Sequence, residues 1–150
     1  MGILQDLDAA IRSYIADSVG LDVVDVTTQG SSINIQEVCG FQARVSNNGL
    51  LKMTDVSLQI DGLNGTLLST SSTGPWSPSL TVNSLSVPAG AVRDTASLHF
   101  KAPGSPQPVY TTLVNVRVKN WKADLTGLLD GSSTGEQNQI GHYQSQVFPS

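Results

Sequence analysis

Residues 41–58, FQARVSNNGLLKMTDVSL, decide the fold class. Apolar residues alternate with polar ones from 41 to 45 and again from 56 to 58, as in strands that bury one face. Between them, Asn47-Asn48-Gly49 supplies residue types that reverse the chain. The stretch predicts a β-hairpin whose two strands share one core. Its expected inward residues are Phe41, Ala43, Val45, Val56 and Leu58.

The same alternation recurs from Leu21 to about residue 120, with turn residues between the runs. One run places Val114, Val116 and Val118 on one face, and another places Val92, Ala96, Leu98 and Phe100 on one face. Gly40 is expected to mark a bulge or bend. No helix-length segment separates the runs, which disfavours a parallel α/β fold. The pattern predicts an all-β, immunoglobulin-like (Ig-like) antiparallel β-sandwich of about seven strands over residues 21–130.

Residues 1–20 predict an amphipathic helix in front of the sandwich. Apolar residues recur there at helical spacing, and the stripe also fits two heptads. A helix this short needs its apolar face covered, by its own domain or by a neighbouring subunit. If a neighbour covers it, the docking residues are Leu4, Leu7, Ile11, Tyr14 and Ile15.

Residues 131–150 predict a linker and an extended C-terminal tail that docks. Residues 131–139 are rich in Gly, Ser, Thr and amides, a linker composition. Apolar residues then return, and they are expected to pack on the same domain or on another chain. The docking residues predicted here are Tyr143, Val147 and Phe148.

Composition excludes several function classes. Only 13% of the residues are charged and the net charge is −4, so a basic nucleic-acid surface is not expected. No run approaches the apolar length of a membrane-spanning helix. The N-terminus lacks the pattern of a signal peptide. The location is therefore left open between a cytoplasmic protein and an extracellular or virion-associated one exported by a non-classical route.

No residue constellation predicts catalysis, a cofactor or a metal. Cys39 is the only cysteine, and we expect it to be a small, partly buried apolar residue. His99 is expected to face solvent from a strand, and His142 lies in the tail. The aspartates are single and dispersed, unlike a calcium loop. Asn64-Gly65-Thr66 matches a glycosylation acceptor, but a turn accounts for it equally well.

Trp76 is the one candidate ligand-binding residue. It lies in a loop between Pro75 and Pro78. An exposed aromatic ring held by prolines would suit a sugar ring or an apolar groove of a partner. The alternative is that Trp76 folds back and caps the sandwich.

Two segments resemble the bacterial and archaeal Ig-like domains that include the CARDB and DUF11 groups. FQARVSNNG followed by LKMTDVSLQID resembles their strand, Asn-x-Gly turn and Thr-Asp-Val strand entry. SLSVPAGAVRDTASLHFKAP resembles their Pro-x-Gly turn into an alternating strand. The resemblance covers roughly residues 22–120. It implies a sandwich used in adhesion, spacing or assembly, without general catalytic residues to carry over.

The sequence therefore favours a non-enzymatic structural or assembly protein. Such a subunit would self-associate as a homo-oligomer, or attach to a larger filament, capsid or tail, through its terminal segments. The alternative is a carbohydrate- or cell-surface-binding adhesion module that uses Trp76. The expected partners are proteins, with a glycan as the alternative.

Overall fold

A computed structural model of the chain describes residue 10 and residues 19–28, 32–123 and 141–149. This part of the protein is all-β, with eleven strands. They are β1 (Val19–Thr27), β2 (Ile33–Asn34), β3 (Val38–Asn47), β4 (Met53–Gly62), β5 (Leu67–Ser69), β6 (Ser79–Val87), β7 (Val92–Asp94), β8 (Leu98–Lys101), β9 (Thr112–Ala123), β10 (Gly141–Gln144) and β11 (Val147–Phe148). Seven have four or more residues, the number predicted, and β2, β5, β7 and β11 are shorter.

Two antiparallel sheets form the sandwich. The first has the order β1-β3-β8-β5, and β7 pairs with β3 beside β8. The second has the order β10-β9-β4-β6. A short parallel pair, β11 with β2, lies outside both sheets. The Ig-like antiparallel sandwich predicted from the alternation is confirmed.

The core lies between the inner faces of the two sheets. Along β3, every second side chain is buried, and along β9 Val114, Val116 and Val118 are buried as predicted. Trp121 is also buried, inside β9. Phe41 and Phe100 pack with ring centroids 5.9 Å apart. These contacts confirm that residues 41–45 and 56–58 share one core.

The predicted hairpin, however, is wrong. β3 pairs with β1, β7 and β8, whereas β4 pairs with β6 and β9, so the chain crosses from one sheet to the other between them. Alternation is the same for a strand pair within one sheet and for strands that face each other across a core. The crossing is fixed by Asn47, whose side chain is buried in this connection.

The prediction that Val92, Ala96, Leu98 and Phe100 share one inward face is correct for two of the four residues. Leu98 and Phe100 are buried, but Val92 and Ala96 are exposed. The run is interrupted between β7 and β8, where Thr95 turns inward instead. The Thr95 hydroxyl accepts a hydrogen bond from Ala43 N at 3.1 Å, and Thr95 N donates to Ala43 O at 2.9 Å. Because Thr95 pairs with Ala43 in this way, the alternation of buried and exposed residues is shifted between β7 and β8.

From the sequence, a bulge or bend is expected at Gly40 itself. The structure places the irregularity in the neighbouring strand β1, opposite Gly40. The register shifts in β1 between Val24 and Thr27. Gly40 N donates to the Thr27 hydroxyl at 3.1 Å, and a Cβ at residue 40 would lie 2.8 Å from that oxygen. Glycine therefore allows the close approach.

The ends of the chain differ from the predicted divisions. β1 begins at Val19, before the expected end of the helix at residue 20, and the rest of the predicted helix lies outside the described residues apart from Ala10. Residues 141–148 contribute β10 and β11, which pair with β9 and β2. The sequence leaves two alternatives for this tail, packing on its own domain or on another chain, and residues 141–148 pack on their own domain. The linker at residues 131–139 lies outside the described residues.

Candidate assembly interface

The two sheets have five edge strands: β1, β5 and the three-residue β7 in the first sheet, and β10 and β6 in the second. A strand at an edge presents backbone N–H and C=O groups that can pair with another strand. Proteins cover, shorten or charge such edges to prevent unwanted pairing. Another chain can therefore pair only with an edge strand that is still open.

The β1 and β10 edges close on each other. A Cβ at Gly141 would lie 2.7 Å from both the carbonyl carbon and the oxygen of Leu21, and 2.8 Å from Asp22 N. The two backbones are thus in direct contact. Tyr143 of β10 packs on Phe100 with centroids 5.9 Å apart, which covers the core on this side.

The β5 edge is covered by its own connection to β6. Leu68 N donates to Ser77 O at 2.6 Å, and Ser77 N donates to Leu68 O at 2.8 Å. These two bonds form an isolated antiparallel bridge. Because β5 has only three residues, this bridge covers much of its edge.

β6 differs from the other edges, of which β7 has only three residues and carries Arg93 and Asp94. β6 is nine residues long and pairs with β4 on one side, and no strand of the described ranges pairs with its other side. We call this outer side the β6 edge. No charged residue occurs from 62 to 92, so neither β6 nor its flanking connections carry a charge. Among its described side chains, Thr81, Asn83 and Ser86 are exposed.

The inward side chains of β6 leave the core partly open. Leu80, Val82 and Leu85 pack against the core cluster but are only partly buried, in contrast to Val116 and Val118 of the central strand β9. This exposure follows from the edge position, because no further strand covers their outer sides.

The outer face of the second sheet is polar and partly charged. The Thr81 hydroxyl donates to Gln59 Oε1 at 3.3 Å, and Gln59 Nε2 donates to Asp61 Oδ1 at 3.0 Å. Arg117 Nε lies 3.8 Å from Asp61 Oδ2, and Lys122 Nζ lies 3.8 Å from Asp55 Oδ2. The sheet is therefore better suited to contact a partner at its edge than over its face.

Only three of the eight predicted docking residues lie among the described residues. Leu4, Leu7, Ile11, Tyr14 and Ile15 lie outside the described residues. Val147 is buried in the chain's own core. Tyr143 is half-buried, and burial raises the pKa of its hydroxyl. Phe148 is partly exposed, and its carbonyl accepts a hydrogen bond from Ile35 N at 2.9 Å.

Trp76 is neither fully exposed nor buried. Lys101 Nζ lies 5.9 Å from the centroid of its ring, within the range of a cation–π contact. A Cβ at Gly74 would lie 2.9 Å from Trp76 Cδ1, so glycine allows the loop to fold against the ring. The indole is held in the loop at the β5 side of the sandwich.

Cys39 has no features of a nucleophile. It is 1% exposed, and burial together with Glu37 raises the pKa of its thiol to about 12. The thiol donates to Glu37 Oε2 at 3.6 Å. A reactive cysteine needs accessible thiolate, which this environment suppresses.

One surface group was missed from the sequence. Asp25, Ser97 and His99 line the same shallow depression of about 240 Å³. Such a volume is below the range of about 300 to 1,000 Å³ that is usual for ligand pockets. No hydrogen bond joins the side chains of Asp25, Ser97 and His99 to one another.

The described residues contain neither a metal-binding cluster nor a membrane-spanning helix. No group of three or more His, Cys, Asp or Glu residues in these ranges is placed to hold a metal ion. No helix within them has the length and apolar character needed to cross a bilayer.

Comparison with known proteins gives structural likeness only. No protein-family model matches the chain, and no curated protein matches it significantly. Several solved structures are similar in fold. One is a CARDB domain from Pyrococcus furiosus in complex with di-metal ions, at 9% identity and TM-score 0.43, covering 88% of this chain and 94% of that one.

Two further similar structures are of bacterial proteins. Spo0M, a sporulation control protein from Bacillus subtilis, is 15% identical with TM-score 0.43, and covers 89% of this chain and 50% of that one. BslA, a bacterial hydrophobin, is 13% identical with TM-score 0.41, covering 89% and 97%. The sandwich assignment rests on the strand pairings of the chain itself.

Proposed function

We propose that this protein is a non-enzymatic structural or assembly subunit, a CARDB-type Ig-like domain that joins other chains by strand addition. The observation that carries the proposal is the uncharged, nine-residue β6 edge, which no strand of the described residues covers, on a sandwich whose β1, β10 and β5 edges are covered. Strand addition is a common way for sheet proteins to recruit an extended segment. The buried Cys39 thiol and the unconnected Asp25, Ser97 and His99 add no catalytic alternative.

The energetics of the β6 edge favour pairing. An added strand would supply partners for the outward backbone groups of β6 between its two ends, where Ser79 N and O already bond to the Ser77 hydroxyl and Val87 O accepts from Asn47 Nδ2. It would also cover the outer sides of Leu80, Val82 and Leu85, with a gain of about 25 cal/mol for each Å² of apolar surface removed from water. Neither gain is offset by desolvation of charge, since the strand has none.

The terminal segments have different places in this proposal. Tyr143 and Val147 already contact the chain's own core, which leaves Phe148 as the exposed member of the predicted set. The apolar stripe of residues 4–15 is a second contact surface that we propose from the sequence alone. The β6 edge can be tested independently of it.

Light scattering coupled to size exclusion tests the proposal. The wild-type chain should show a mass that rises with concentration, and Asn83→Lys, which places a charge on the β6 edge, should shift it toward the monomer. The matched control is Ala96→Lys, at an exposed position in the connection between β7 and β8. A monomeric wild-type protein at all concentrations would refute assembly through this surface and through the terminal stripe.

A second candidate function is binding of a carbohydrate at Trp76. It is supported by the partial exposure of an indole that Gly74 and Lys101 hold in one orientation. A glycan array should then show binding that Trp76→Ala removes while the circular dichroism spectrum is unchanged. Absence of binding to every glycan would rule this candidate out.

A further inference from the structure

We infer that the occupant of the β6 edge is a second copy of this chain, paired through its own β6 in antiparallel orientation about a two-fold axis. The inference rests on the proposed assembly function and names its partner. The two four-stranded sheets would become one continuous sheet of eight strands. The strand order across the junction would be β10-β9-β4-β6 followed by the same strands in reverse.

The charge distribution fits a copy of the same edge. In a two-fold interface each patch faces itself, so a charged residue near the axis meets its own like charge. Like charges directly opposite on paired strands are destabilising. Because residues 62–92 contain no Asp, Glu, Lys or Arg, this repulsion is absent along the whole β6 edge and its connections.

The apolar side chains fit a copy of the same edge as well. On the inner face, Leu80, Val82 and Leu85 are partly buried at the rim of the core. A second β6 brings Leu80 and Val82 to the same face, so the two rims would extend one core, and Leu85 follows after the register shift that β6 shows between Val82 and Leu85. On the outer face, Thr81 and Asn83 would meet polar side chains of equal kind, as cross-strand pairs prefer.

The contact is expected to be weak. A single nine-residue strand on each side buries less than the total of about 1,200 Å² that is typical of stable interfaces. Association should therefore depend on concentration. A chemical link across the axis would trap the pair, and the exposed residues of β6 offer places for it.

Single-cysteine variants test the inference directly. Thr81→Cys, Asn83→Cys and Ser86→Cys place a thiol along β6, and Ala96→Cys is the control at an exposed position in the connection between β7 and β8. The native Cys39 stays silent because it is buried. Directly opposed residues have Cβ atoms about 4.5 to 5.5 Å apart, within reach of a short bis-maleimide and close to disulfide geometry.

We expect at least one β6 variant to give covalent dimer in tenfold or greater excess over Ala96→Cys, with a yield that rises with protein concentration. If the wild type is oligomeric by light scattering and no β6 variant exceeds the control, the second-copy inference fails while the assembly function stands. If the wild type is monomeric at all concentrations and no β6 variant exceeds the control, both fail.

Discussion

At the scale of single residues, Asn47 fixes the passage of the chain between the two sheets. It occupies the inward position after Phe41, Ala43 and Val45, and is 2% exposed. Its Nδ2 donates to Leu51 O at 2.7 Å and to Val87 O at 3.0 Å, and its Oδ1 accepts from Gly49 N at 3.1 Å. One amide thus joins the β3–β4 connection to the end of β6.

Asn47→Ala should lower the free energy of unfolding by about 2 to 3 kcal/mol, because it leaves buried carbonyl and amide groups without partners. Urea unfolding at constant slope measures the loss. The matched control is Asn48→Ala, since Asn48 is exposed in the same connection. A loss below about 0.5 kcal/mol, the range of ordinary surface substitutions, would contradict the role given to Asn47.

Cys39 should be inert in the folded protein. Burial and the carboxylate of Glu37 raise the pKa of the thiol from 9.0 to about 12, so at pH 8 it is protonated as well as inaccessible. A folded pKa above the unfolded value favours folding below pH 9, and this contribution is lost as the pH rises toward 12. Thiol labelling at pH 8 should therefore be slow until urea unfolds the chain, and rapid labelling of the folded protein would contradict the burial.

The sequence predicts the burial of a side chain well where the alternation within its own strand determines that burial. Phe41, Val114 and Cys39 are buried as expected. Asn47 and Thr95 could not be predicted, because their hydrogen bonds depend on partners distant in sequence, such as Val87 and Ala43. A polar residue in an inward position of a strand is nevertheless a recognisable signal.

At the scale of strands, alternation locates the elements but not their neighbours. β3 and β4 have the pattern of a hairpin and lie in different sheets. The β7–β8 run has the pattern of one strand and is broken at Thr95. Pairing depends on the directions in which connections leave each strand, and these directions are set by side chains such as Asn47.

The contact between β1 and β10 gives a prediction at this scale. Gly141→Ala would place a Cβ against the backbone of Leu21 and Asp22, which cannot move as a flexible side chain can. We expect a loss of about 1 to 3 kcal/mol in the free energy of unfolding, measured by urea titration. Gly104→Ala is the matched control, because its Cβ would meet only Gln36 side-chain atoms, 3.5 Å away or more. Equal stability of the two variants would mean that the edges do not close.

At the scale of the whole molecule, the sandwich covers the β1, β10 and β5 edges and, apart from the three-residue β7, leaves only β6 open among the described residues. The β1 and β10 edges meet through Gly141, and the β5 edge is bridged by Ser77. The uncharged run of residues 62–92 can be read from the sequence, but its place at an open edge cannot. The sequence alone therefore pointed to the terminal segments as the assembly surface.

Hydrogen–deuterium exchange of the β6 amides at two protein concentrations tests the central claim most directly. If β6 pairs with another chain, protection of residues 79–87 should rise with concentration, while that of the central strand β9 stays constant. Asn83→Lys should remove the rise. Protection of β6 that is the same at both concentrations would contradict assembly through the β6 edge.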